Sequence, residues 1–140
     1  NASVGYLLGN VLSNDGGVNR GIFEMGEGGM IKSLTEMFDI KESNLAEKKL
    51  AKDDLCSMNI FALTKNALVL LKEDLINFKN SHSGDREAEC LLPQEISNLV
   101  KGEKITMKIY PTKSKWLGLT YPEDEAKVME SLKSQANSLD

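Results

Sequence analysis

A glycine-centred β-hairpin constrains this chain more than any other feature. Arg20 to Met25 reads as a strand, Gly26-Glu27-Gly28-Gly29 as a turn, and Met30 to Leu34 as the returning strand. Glycine reaches positive φ without steric cost, so the turn is cheap to close. Ile31, Lys32, Ser33 and Leu34 alternate apolar with polar, the period of a half-buried strand. A hairpin adds antiparallel pairs, so a sheet that contains it is at least partly antiparallel.

The rest of the chain alternates strand with helix. Residues 4–8 form an apolar, Tyr-containing strand, followed by a turn signal at Asn14-Asp15-Gly16-Gly17. Residues 40–54 are charged and without a clear period, which suits an exposed excursion with a turn of helix. Cys56 to Leu63 is the strongest buried strand. It runs into Thr64, a good N-cap, and a helix of about 15 residues. Leu68, Leu71, Leu75 and Phe78 recur there at helical spacing and predict its buried stripe. A polar loop follows at Asn80 to Asp85. A second helix starts at Leu92-Pro93, presents Ile96, Leu99 and Val100 on one side, and stops at Gly102. Lys104 to Tyr110 alternates as a strand with Ile105, Met107 and Ile109 on one face. Lys115 to Tyr121, around the chain's single Trp, reads as a short strand. The last helix begins at Pro122, with Glu123, Asp124 and Glu125 at its dipole-favoured end. Val128, Met129 and Leu132 supply its buried side. Helices between strands, plus a hairpin, predict an α/β fold with a mixed sheet and flanking helices.

A chain of 140 residues suits a single domain, here residues 1–140. Net charge is −4, with 17 basic against 21 acidic residues, and argues against a nucleic-acid partner. Lys101, Lys104, Lys108, Lys113 and Lys115 cluster in sequence but read as a solvated strand face and loop. No apolar run reaches membrane-spanning length, and no signal-peptide pattern opens the chain. Asn1-Ala2 leads at once into strand-like sequence, which suggests a piece of a longer protein. Cys56 and Cys90 lack metal-ligand spacing and read as reduced thiols of a cytoplasmic protein.

Few residues present themselves for chemistry. Gly26-Glu27-Gly28-Gly29 precedes a strand rather than a helix, so it reads as a turn and not a phosphate loop. His82 has no positioned partner in sequence and reads as a solvated loop histidine. Glu36, at the end of the second hairpin strand, is either a surface carboxylate or an acid aimed into a cleft. Asn59 lies inside an apolar strand, where its amide needs a backbone or a ligand partner. Glu89 is placed to cap the following helix or to serve another role. Arg20 before Gly21 is either a surface arginine or an anion ligand.

The order of these segments resembles a known family. Val18-Asn19-Arg20-Gly21-Ile22-Phe23-Glu24 and Ile31-Lys32-Ser33-Leu34-Thr35-Glu36 look like the central hairpin of sugar-1-phosphate nucleotidyltransferases. Ser57 to Thr64, Glu89-Cys90-Leu91-Leu92-Pro93 and Lys115 to Tyr121 follow in the family's order. The resemblance implies a glycosyltransferase-A-like, Rossmann-related fold, of which this chain is the C-terminal, sugar-binding half. It implies attack of a sugar-1-phosphate, or a similar phosphorylated small molecule, on the α-phosphate of a nucleoside triphosphate. The products are a nucleotide-sugar and pyrophosphate, with Mg²⁺ in the full-length parent. It makes Gly21, Glu36 and Asn59 the substrate contacts and assigns this chain neither catalytic residues nor metal ligands.

Two departures bear on that expectation. Met37 stands where many members carry a lysine for the sugar phosphate, and Gly118 where many carry a metal-binding aspartate. They favour an alternative, a non-catalytic ligand-binding or assembly module on the same fold. The chain alone is expected to be inactive and able to self-associate through an exposed sheet edge.

Overall fold

A computed structural model describes residues 1–13, 16–118 and 124–136. The expected α/β architecture is present, built on one mixed sheet of five strands in the order β3-β2-β4-β1-β5. The strands are β1 (Ala2–Leu7), β2 (Val18–Met25), β3 (Ile31–Ile40), β4 (Leu55–Ala62) and β5 (Lys108–Thr112). The helices are α1 (Lys65–Ser81), α2 (Leu92–Lys101) and α3 (Asp124–Ala136). The β2–β3 hairpin, the β2–β4 pair and the β1–β4 pair are antiparallel, and β1–β5 is parallel.

The hairpin forms as its sequence predicts. Gly28 and Gly29 hold φ of 62° and 78° in the turn, and the Gly26 N–H donates to Met30 O at 2.7 Å. The sheet curls strongly. Ile31 N donates to Met107 O at 3.0 Å, and Met30 bridges Lys108, so the start of one edge strand touches the other edge. The edge of β3 is also covered, because the Leu34 N–H donates to Ser97 Oγ of α2 at 3.0 Å.

Apolar clusters pack both sides of the sheet. On the α2 side, Phe23, Ile31, Leu34, Ile96, Met107 and Ile109 form a buried core. Ala67 of α1 joins it through Leu99 and Ile105. In a second cluster, Leu8, Val11, Ile40, Leu45 and Cys56 pack with Ile22 and Met37. The charged segment read as an exposed excursion also contributes to the core: Leu45 is buried, and Leu50 packs against the same cluster.

Four further expectations change, one of them on α3, where Met129 and Leu132, predicted on the buried side, are 48% and 50% exposed. Leu68 and Leu75, predicted as buried, are 54% and 46% exposed. Of the predicted stripe, Leu71 does pack toward α2, together with Ala67, which the sequence did not single out. At about 3.6 residues per turn, Leu68 and Leu75 lie roughly 80–100° round from Ala67. The strand expected from Lys104 starts only at Lys108. Lys104 N and Ile105 N both still bond Leu99 O of α2, at 2.9 and 3.3 Å, which holds that segment off the ladder. The strand then continues through Pro111, tolerated because β5 is an edge strand. Residues 113–118 form no strand around Trp116. Residues 119–123, including the expected helix start at Pro122, lie outside the described residues, as do Asn14 and Asp15.

Candidate functional site

The register aligns small and polar residues in one row across the sheet. Glu36 pairs with Gly21, Gly21 with Ser57, Ser57 with Gly5 and Gly5 with Pro111. Paired residues share a face, so Glu36, Gly21 and Ser57 project together. A Cβ at residue 21 would stand 2.9 Å from Leu34 Cδ1 and 3.3 Å from Glu36 Oε2. Gly21 thus makes room for Leu34 and Glu36 to close over β2. Those two side chains border the strand at Gly21, which the resemblance makes a substrate contact.

Glu36 is half-buried, and desolvation raises its carboxyl above the ordinary carboxylate range, while Arg20 nearby acts to lower it. Ser57 is buried, and its Oγ accepts the Asn59 N–H at 3.0 Å. Asn59 was expected inside a buried strand. It is exposed, with φ of 58°, in an irregular stretch where β4 slips against β1 between Ser3 and Gly5. Asparagine tolerates that left-handed conformation better than most residues, which accounts for a polar residue in an apolar run. The structure therefore brings Gly21 and Glu36 together and joins Asn59 to them only through its backbone bond to Ser57.

Arg20 pairs across the hairpin with Met37 and alternates with Gly21. Its Nη1 donates to Asn19 O at 2.8 Å and its Nη2 to Val11 O at 3.1 Å. Trp116 lies over the guanidinium, 5.7 Å from Cζ to the ring centroid. Asn10 Nδ2 donates to Lys113 O at 3.0 Å and holds the start of the same segment. The Trp116 ring also lies against Gly118 and leaves no space for a Cβ there. A glycine at 118 thus has a packing reason as well as a consequence for metal binding.

The other singled-out residues stay apart from chemistry. His82 stacks on Phe78 with ring centroids 4.1 Å apart, and its Nδ1 lies 3.0 Å from Ser81 Oγ and from Phe78 O. Leu91, not Glu89, is the N-cap of α2, and no side chain caps it. Cys56 and Cys90 are free thiols. Burial pushes the Cys56 thiol up to about 11, although Arg20 opposes the shift, so it is no nucleophile at neutral pH. Among the described residues, no group of three or more His, Cys, Asp or Glu is placed to hold a metal ion. No helix among them is long and apolar enough to cross a membrane.

Sequence reasoning missed Ser57 as part of the row and Arg20 as part of a stack with Trp116. The signal for Ser57 was a small hydroxyl residue beside Cys56 in a buried strand, but its partners depend on inter-strand register. Comparison of the chain with protein-family models and with curated proteins gave no match.

Proposed function

We propose that this chain is the sugar-phosphate-binding part of a nucleotidyltransferase-like protein, with Glu36 as the principal substrate contact. The observation that carries the reading is Glu36 set directly beside Gly21 and in the row of Ser57. A carboxylate accepts hydrogen bonds from neighbouring hydroxyls, and partial burial strengthens them. Gly21 acts here by positioning Glu36, and Asn59 by anchoring β4 at Ser57. The glycosyltransferase-A-like relationship and the transfer reaction rest on the sequence resemblance. In that reaction a sugar-1-phosphate oxygen attacks the α-phosphorus, and pyrophosphate leaves. The nucleotide site belongs to the other half of the family's domain, and substrate contact in this half stands on Glu36.

Calorimetric titration of the parent protein with glucose 1-phosphate tests this assignment. Glu36→Ala is expected to weaken binding about tenfold through loss of charge-assisted hydrogen bonds. Unchanged affinity in a folded variant removes Glu36 from the site.

Met37 and Gly118 favour a second reading, a non-catalytic binding or assembly module. Turnover separates the two. A parent that binds glucose 1-phosphate yet makes no nucleotide-sugar with any nucleoside triphosphate and Mg²⁺ is the module rather than the enzyme. The 140-residue chain alone is expected to make none.

A further inference from the structure

Arg20 is a cation without an ion-pair partner among the described residues, Glu36 acting on it only from beyond ion-pair distance. It is half-buried, and no carboxylate among the described residues lies within ion-pair distance of it. Its hydrogen bonds go to two neutral carbonyls, Asn19 O and Val11 O. Its Nε is buried and has no acceptor among the described residues. A buried N–H without a partner is costly, and a partly desolvated charge without compensation adds to that cost. Burial accordingly disfavours the charged guanidinium, with only partial relief from Cys56 and Glu36.

The surroundings are organised rather than accidental. The two carbonyl bonds fix the plane of the guanidinium, and Trp116, 44% exposed, covers it from outside. A planar guanidinium whose Nε–H has no acceptor matches the oxygens of a phosphoryl or carboxylate group, and because Nε is sealed from solvent in this structure, a ligand reaches it only when the side chains covering it move aside. Strand alternation puts Arg20 on the face of Met37, whereas Glu36 shares the face of Gly21.

We propose that Arg20, beneath Trp116, is an oxyanion-binding site separate from the Glu36 row. The oxyanion supplies the acceptor that Nε lacks and the negative charge that the guanidinium lacks. This inference does not depend on the nucleotidyltransferase reading, since it uses none of the row residues.

The sequence has two arginines and one tryptophan, which makes the test direct. Nitrogen-15 spectra resolve the Arg20 and Arg86 Nε–H groups, and Arg86, which is exposed, serves as the internal reference. Inorganic phosphate and succinate are titrated separately, with sodium chloride at matched ionic strength as the control. The expected result is a saturable shift of the Arg20 signal and a saturable change in Trp116 emission, with Arg86 unmoved. Saturation by phosphate alone identifies a phosphoryl ligand, and saturation by succinate a carboxylate. Arg20→Lys keeps the charge but loses the fork, and is expected to bind about tenfold more weakly by Trp116 emission. Arg20→Met is expected to abolish the response; if it does not fold, the lysine variant and the spectra decide. No saturable shift, or equal shifts at Arg20 and Arg86, overturns the proposal and leaves Arg20 as a tie between Val11 and Asn19.

Discussion

Helices α1 and α2 pack together on the same core, yet they hold to it very differently. α1 has 17 residues and fully buries only Ala67. α2 has 10 residues and buries Pro93, Ile96, Ser97 and Leu99. The longer helix leaves Leu68, Val69, Leu75 and Ile76 on its surface. The shorter one drives Ile96 into the cluster of Phe23, Leu34 and Met107 and gives the Ser97 hydroxyl to the edge of β3. Length adds helical surface, but stability follows the part of that surface a neighbour covers. An apolar stripe read from α1 is real as a pattern and still lacks a covering partner among the described residues.

The contrast can be broken or sharpened by substitution. Ile96→Ala removes a fully buried side chain and is expected to cost about 2–5 kcal/mol in urea denaturation; a loss near zero would erase the distinction between the helices. Ser97→Ala leaves the Leu34 N–H without its acceptor in a buried setting and is expected to cost about 1–3 kcal/mol. Faster hydrogen exchange at Leu34 should accompany that loss, and unchanged exchange would show that the edge is protected by other means.

For α1 the largest expected effect lies at its start. Thr64 Oγ1 accepts the Ala67 N–H at 3.3 Å, and the Thr64 N–H donates to Asn1 Oδ1 at 2.8 Å. Thr64→Ala should therefore cost about 1 kcal/mol, measured by thermal unfolding. Leu75→Ala should fall within about 0.5 kcal/mol of the parent chain. A cost comparable to that of Ile96→Ala would mean that α1 is covered in solution, by a second copy or another partner. Concentration-dependent sedimentation would then identify self-association.

The candidate site shows a similar division between pattern and placement. Glu36 stood out from residue type and strand position, and Gly21 from its place in the hairpin. Their adjacency needed a register that local sequence does not specify, because a shift of one residue sends every side chain to the opposite face. Asn59 illustrates the limit from the other side. An asparagine in an apolar run suggested a buried amide, whereas the backbone uses it at a left-handed position where β4 and β1 lose register. The Trp116 segment read as a strand from its apolar residues. The structure instead lays it over Arg20 and ties Lys113 to Asn10, contacts between residues far apart in the chain.

What the sequence determined by itself is local: the glycine turn, the Thr64 cap that starts α1, the Pro93 start and Gly102 stop of α2, and the alternation through Ile105, Met107 and Ile109. Each follows from steric preference, capping or periodicity within a few residues. Tertiary structure alone decided the strand order, the touch between β3 and β5, which face of α1 is buried, and the row of Glu36, Gly21 and Ser57. It also left the Arg20 Nε without an acceptor among the described residues. These are outcomes of packing between distant segments, where the free energy of a residue depends on what covers it.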